Sequence, residues 1–179
     1  MKWIKRVSQS SSQIISSRVV SLQNGQGPLK DGEVMAEEGP PNIRKFRRED
    51  IHKILEIEGE AFPKTAYPKE TFLYYAKRIP EHFMILESGD DMAGYIIFDQ
   101  DGHIHSTAVK PVYRRKGFGR MLFLHALVSS KKRLWLEVRS RNRGAIAFYK
   151  SMGMEIAGKV ENYYGDDDAL IMVLSEQES

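Results

Sequence analysis

Between positions 114 and 120 the chain reads Arg114-Arg115-Lys116-Gly117-Phe118-Gly119-Arg120, four cationic side chains around two glycines. Glycine lets backbone N–H groups turn toward an anion, and a helix that starts there adds about half a positive charge at its N-terminus. The chemistry this suits is the binding of a pyrophosphate. It is no Walker loop, because the Gly-Lys-Ser/Thr ending is missing, and no dinucleotide fingerprint, because only two glycines are present and no parallel βαβ unit surrounds them. Two plainer readings stay open: a solvated basic turn, and a contact for nucleic-acid phosphates, although the flanking sequence supplies no basic face rich in aromatics. Upstream, His103 and His105 alternate with Ile104. In a strand that spacing puts both imidazoles on one side, and imidazole is the side chain that titrates nearest neutrality.

These groups need a scaffold to position them. Residues 42–46 alternate as a short strand, and Glu49-Asp50 can start a helix with Ile51, Ile54, Leu55 and Glu58 on one side. Pro63 and Pro68 break the chain, and Pro68 suits the start of a second helix carrying Phe72, Tyr75, Ala76 and Ile79. Three strands over 82–86, 92–98 and 103–109, separated by Ser88-Gly89-Asp90-Asp91 and Asp99-Gln100-Asp101-Gly102, form an antiparallel meander. The basic loop then opens a helix whose buried side is Phe118, Met121, Leu122, His125 and Val128. A strand over 134–138, a helix over 142–152 and strands over 154–160 and 169–174 complete the order βααβββαβαββ.

Composition narrows the function classes. The chain has 179 residues, 27 Lys+Arg against 24 Asp+Glu, and no cysteine, which excludes a disulfide framework, a thiolate zinc site and a cysteine nucleophile. Its apolar runs are far shorter than the ~20 residues of a membrane-spanning helix, so no membrane partner is expected. Residues 1–41 are crowded with Ser, Gly and Pro and hold no acidic residue before Asp31. They read as a flexible extension, with an organelle-targeting peptide as the alternative to a cytoplasmic protein. The folded domain is expected over 42–174 and a polar tail over 175–179.

The basic loop resembles motif A of the GCN5-related N-acetyltransferases, Arg/Gln-x-x-Gly-x-Gly/Ala, here Arg114-x-x-Gly117-x-Gly119. Two further blocks are similar to the ribosomal-protein-alanine and archaeal N-terminal acetyltransferases. One runs from Leu134-Trp135-Leu136-Glu137 to Arg141-Asn142 and on through Ala145-Ile146-Ala147-Phe148-Tyr149-Lys150; the other is Asn162-Tyr163-Tyr164-Gly165-Asp166-Asp167-Asp168-Ala169. The resemblance implies an α/β (α+β) fold with a mixed, mostly antiparallel central sheet, splayed at an acetyl-CoA cleft and flanked by helices. It also implies direct attack of an amine on the thioester. Acetyl-CoA would pair with the backbone of Thr107, Ala108 and Val109, and its pyrophosphate would sit on Arg114, Arg115, Lys116, Gly117, Phe118, Gly119 and Arg120. Asn142 would hydrogen-bond the cofactor arm and Tyr149 would protonate the leaving thiolate. Without the resemblance, Asn142 reads as a helix cap and Tyr149 as a core tyrosine.

The attacking amine must be neutral, and this separates acceptor classes. An α-amine with a pKa near ~7.8 is about one third neutral at about pH 7.5, a lysine near ~10.4 only about 0.1 %, a gap of ~3.5 kcal/mol. Glu137 resembles the family's base, and His103 is the second candidate, where some eukaryotic relatives carry Tyr. Alternatively Glu137 pairs with Arg139 or Arg141. The resemblance assigns no metal, although His103, His105 and Glu137 could hold one. Phe62-Pro63-Lys64-Thr65-Ala66-Tyr67 looks like the loop that lines a substrate N-terminus, with Phe62, Pro63, Tyr67, Glu137 and Tyr164 on the peptide side. The function implied is protein Nα-acetylation, with protein or peptide N-termini and the ribosome or its proteins as partners and no specific nucleic acid. The alternatives are a lysine or small-amine acetyltransferase and a non-catalytic RNA- or ribosome-binding module.

Overall fold

The computed structural model describes residues 40–130 and 133–174. The expected extension, except for its last two residues, and the expected tail lie outside the described residues. Among the described residues seven strands and four α-helices follow in the expected order: β1 Asn42–Lys45, α1 Ile51–Ala61, α2 Lys69–Arg78, β2 Phe83–Ser88, β3 Asp91–Phe98, β4 Ile104–Val109, α3 Phe118–Ser129, β5 Trp135–Arg139, α4 Arg143–Ser151, β6 Met154–Val160 and β7 Ala169–Leu174. Among the described residues no helix is long and apolar enough to cross a membrane.

The strands form two antiparallel sheets, one in the order β1-β2-β3-β4 and one in the order β5-β7-β6. Between β4 and β5 there is a single parallel bridge, His103 to Trp135, supported by the Trp135 N–H donating to the Gly102 carbonyl at 2.9 Å. Beyond that bridge β4 pairs only with β3 and β5 only with β7, so two strand edges face each other unpaired and a cleft opens between them. Gly102 makes the junction possible. Its φ is +82°, and a Cβ there would lie 1.9 Å from the Arg133 carbonyl oxygen.

Two apolar cores lie on either side of the first sheet. One packs α3 and α4 against Leu86, Ile96, Phe98, Leu136 and Met172, the other packs α1 and α2 against Phe83, Ile85, Tyr95 and Ile97. Strict alternation along β3 would send Met92 and Tyr95 to opposite faces. A register shift opposite Leu86–Glu87 inserts one extra residue near Ala93, and Tyr95 therefore joins Met92 on the α1 face. Gly94 sits at this irregularity, where a Cβ would meet the Ala108 carbonyl oxygen at 2.5 Å.

The buried arc of α3 differs from the expected one. Phe118, Leu122, Phe123 and Ala126 are buried, while Val128 is 63 % exposed. The helix is apolar nearly all round, so hydrophobic spacing defines its buried side poorly and contact with the sheet decides it.

Candidate active site

Glu137 lies mid-strand on β5, and its Oε2 is 2.7 Å from Nε2 of His103, the residue just before β4. Each side chain keeps 19 % of its surface exposed, so the pair is enclosed yet reachable. His103 is held flat against Trp135, with ring centroids 3.8 Å apart and planes 8° from parallel. The expected alternatives for Glu137 are already taken: Arg139 pairs with Asp166 at 2.6 Å and Arg141 lies 3.7 Å from Asp167. Sequence reading placed His103 and Glu137 as competing bases; the structure joins them.

Tyrosines from three elements lie near this pair. Tyr67 and Tyr164, from the α1–α2 loop and the β6–β7 hairpin, lie close enough to Glu137 to feel its charge, as does Tyr75 on α2. Burial first, then neighbouring phenols and Glu137, push the Tyr164 hydroxyl up to about 12, so it stays protonated. The Arg139 guanidinium lies over its ring, 4.3 Å from the centroid. Phe62 leans half-buried on the α1–α2 core, whereas Pro63 and Tyr67 are exposed.

A buried carboxylate anchors the Tyr67 loop. Glu58 on α1, 2 % exposed, accepts from the Tyr67 N–H at 2.9 Å and from the Tyr95 hydroxyl, and Ser106 Oγ lies 2.9 Å from the same phenol oxygen. Burial raises the Glu58 carboxyl pKa, and the hydrogen bonds from Tyr95 and Tyr67 offset part of that rise. The link runs from the loop through Glu58 and Tyr95 to Ser106 on β4. Sequence reading missed it, and the only signal was a glutamate in step with Ile51 and Ile54.

Tyr149 of α4 packs in the core beside Phe123 and Phe148, is 7 % exposed, and its hydroxyl makes no hydrogen bond among the described residues. Burial pushes its pKa up, and so does the nearby Tyr164. Asn142 caps α4 with Oδ1, which accepts from the Ala145 N–H at 3.1 Å, so the plain reading of this residue is present. Its amide nitrogen remains available for a ligand.

The residues present fit acetyl-CoA. Backbone N–H groups of residues 115–120 donate to no backbone acceptor among the described residues. Gly117 sits at φ +86° with no atom within 4 Å of a would-be Cβ, which leaves open space where the loop amides gather. Phe118 turns its ring into the core against Tyr113 and contributes only its backbone to the loop. Arg114 Nε donates to the Val109 carbonyl at 3.2 Å, Lys116 lies over the Tyr113 ring, and Arg120 reaches Met152 Sδ at 3.9 Å. On β4 the two-residue period of strand bonding corrects one expectation. The Lys110 N–H donates to Ala93 of β3, so the amide groups of Ala108 face β3 and those of Thr107 and Val109 face the open edge.

Comparison with known proteins points the same way. Residues 49–154 match the family described as Acetyltransferase (GNAT) family. A Salmonella typhimurium protein named ribosomal protein bS18-alanine N-acetyltransferase is 39 % identical over 137 residues, covering 70 % of this chain and 90 % of that protein. An N-alpha-acetyltransferase of Sulfurisphaera tokodaii is 30 % identical over 151 residues, covering 73 % and 90 %. The crystal structure of the ribosomal-protein-S18-alanine N-acetyltransferase from Escherichia coli superposes with a TM-score of 0.66 at 31 % identity, covering 78 % of this chain and 96 % of that one.

Proposed function

Because the chain belongs to the acetyltransferase (GNAT) family, with acetyl-CoA as acyl donor and N-acetyl transfer as its reaction, we propose that its acceptor is the free N-terminal amine of a protein or peptide. One observation carries this reading: the phenols of Tyr67 and Tyr164, from two separate elements, both lie within electrostatic reach of the Glu137 carboxylate. Two phenols near a proton acceptor suit an extended peptide, with backbone to hydrogen-bond and side chains to cover; a small amine gives the second ring nothing to hold.

Acetyl-CoA supplies the activated acyl group. The loop amides of residues 115–120 and the cations around them hold its pyrophosphate, and Thr107 and Val109 offer backbone groups to its arm. The joined Glu137–His103 pair takes the proton of the attacking amine, and the unpartnered Tyr149 hydroxyl gives one to the departing sulfur. An α-amine is already substantially neutral near pH 7.5, so a carboxylate–imidazole pair with part of its surface in water suffices as base. Relatives are named for a ribosomal protein's alanine, which makes an alanine-terminated ribosomal peptide the first acceptor to try.

The test is thiol release from acetyl-CoA with peptides whose N-termini are free or blocked, with and without internal lysine. Turnover that requires the free terminus supports the proposal. Turnover on blocked, lysine-bearing peptides, or on spermidine alone, overturns it.

A further inference from the structure

Beside the base pair the structure brings together groups that proton transfer does not use. His103, just before β4, and His105 on β4 have ring centroids 4.3 Å apart. Asp99, which ends the β3 side of the turn, has one carboxylate oxygen committed to that turn: Oδ1 accepts from the N–H groups of Asp101 at 2.9 Å and His103 at 3.0 Å. Its other oxygen, Oδ2, lies 3.2 Å from His105 Nε2. One donor atom from each of Asp99, His103 and His105 lies within 4.8 Å of the other two, and all three residues are half-buried. Glu137 Oε2, 2.7 Å from His103 Nε2, stands next to the set.

From this geometry we propose that Asp99, His103 and His105, with Glu137 as the fourth ligand, form a binding site for a divalent transition-metal ion of the zinc type, whose occupation blocks acetyl transfer. Two imidazoles with carboxylates are a nitrogen–oxygen set that zinc accepts in tetrahedral geometry, while magnesium and calcium prefer all-oxygen cages. The groups are ordered before an ion arrives. Trp135 fixes the His103 ring, the ring of Tyr75 lies 5.0 Å from that of His105, and the turn fixes Asp99. A metal held by His103 and Glu137 takes the lone pairs that would receive the amine proton, so binding and catalysis exclude one another at the same atoms. His105 and Asp99 add the ligands that lift a base pair into a metal site.

The inhibitory half of the proposal rests on the Glu137–His103 pair being the base; the binding half does not, and the two are measured separately. Binding is read on the full chain by titrating zinc chloride against a chromophoric chelator, with no acceptor or acetyl-CoA present. The expectation is one zinc per chain, no comparable binding of magnesium or calcium, and at least tenfold weaker binding in both Asp99→Asn and His105→Phe. Asn keeps an oxygen for the turn and Phe keeps a ring against Tyr75, and circular dichroism confirms that each variant is folded. Equal zinc affinity in the wild type and both variants, or magnesium binding as tight as zinc, overturns the site. For inhibition, zinc at a concentration that fills the wild type should abolish turnover reversibly with EDTA, and at that concentration Asp99→Asn should keep most of its own zinc-free rate. Specific binding without loss of turnover overturns the inhibitory half and, with it, the assignment of the base; absence of turnover on any free N-terminus overturns the acceptor reading and leaves the binding result standing.

Discussion

Tyr149→Phe separates a cost to the fold from a contribution to the chemistry, because the hydroxyl it removes is buried and makes no hydrogen bond within the described structure. A buried hydroxyl without a partner forfeits its hydration for nothing, a penalty of about 1–3 kcal/mol for a fully buried group and less for a residue that keeps 7 % of its surface exposed. Phenylalanine fills the same space between Phe123 and Phe148, whose ring centroids lie 6.4 and 5.2 Å away, so no cavity opens. The variant should therefore be as stable as the wild type or more so, by up to about 1 kcal/mol. For a domain of ~130 residues the unfolding entropy is ~0.3 kcal/mol/K, which turns that gain into a Tm rise of up to about 4 °C in differential scanning calorimetry. Catalysis should move the other way. Loss of a general acid costs ~10²–10⁴ in rate, so kcat should fall at least a hundredfold while the KM for acetyl-CoA stays within about twofold. A Tm lowered by more than about 2 °C would mean that the hydroxyl has a partner in the fold, and an unchanged kcat would remove Tyr149 from proton transfer.

Two further substitutions probe the loop and the acid limb of stability. Gly117→Val puts a β-branched residue at φ +86°, at a backbone cost of roughly 1–2 kcal/mol, and fills the open space at the loop; acetyl-CoA should bind at least tenfold more weakly by isothermal titration, and unchanged affinity would take the pyrophosphate elsewhere. Asp50 is 5 % exposed and accepts two hydrogen bonds from Arg44, at 2.7 and 2.8 Å. Burial raises its pKa, but Arg44 and Arg47 more than reverse that and leave it lowered. Its stabilisation is thus fully present above the unfolded carboxylate value of about 3.9 and is lost as pH falls through the lower folded value. Because Arg44 is part-buried and keeps Glu87 at 2.7 Å, Asp50→Asn should cost about 1–2 kcal/mol at pH 6 by urea unfolding, and the gap to the wild type should shrink below about pH 4. A gap that is constant with pH would show that the charge is not what stabilises.

The element order was legible because Gly, Pro, Asp and Asn punctuate nearly every connection and the strands between them alternate. The phase of α3 was not, since Phe118, Met121, Leu122, Phe123, Leu124, Ala126, Leu127 and Val128 leave little polar face to define the opposite one. In the site, Glu137, His103, Tyr149, Tyr67 and Tyr164 were nameable from motifs, but their relations were not. That Glu137 meets His103 depends on where the β4–β5 bridge falls, 34 residues apart in sequence. Glu58 was invisible as an anchor for a different reason: its partner Tyr95 faces it only because an extra residue in β3 reverses the alternation. Asp99 read as an ordinary turn residue. The spacing Asp-x-x-x-His-x-His was the available signal, and it acquires meaning only when the turn folds the carboxylate back over the strand.

The unpaired edges of β4 and β5 leave the fold incomplete as a sheet, and under the proposed reading the pantetheine arm of the acyl donor would be the segment that completes it. Exposed strand edges are templates for other chains, so the empty protein carries inside its own cleft the hazard that most proteins hide at the margins of a sheet. Occupancy then protects as well as prepares. Donor at a hundred times its dissociation constant adds about 2.7 kcal/mol to the stability of the folded state, and the protein's lifetime becomes a readout of how much acetyl-CoA surrounds it.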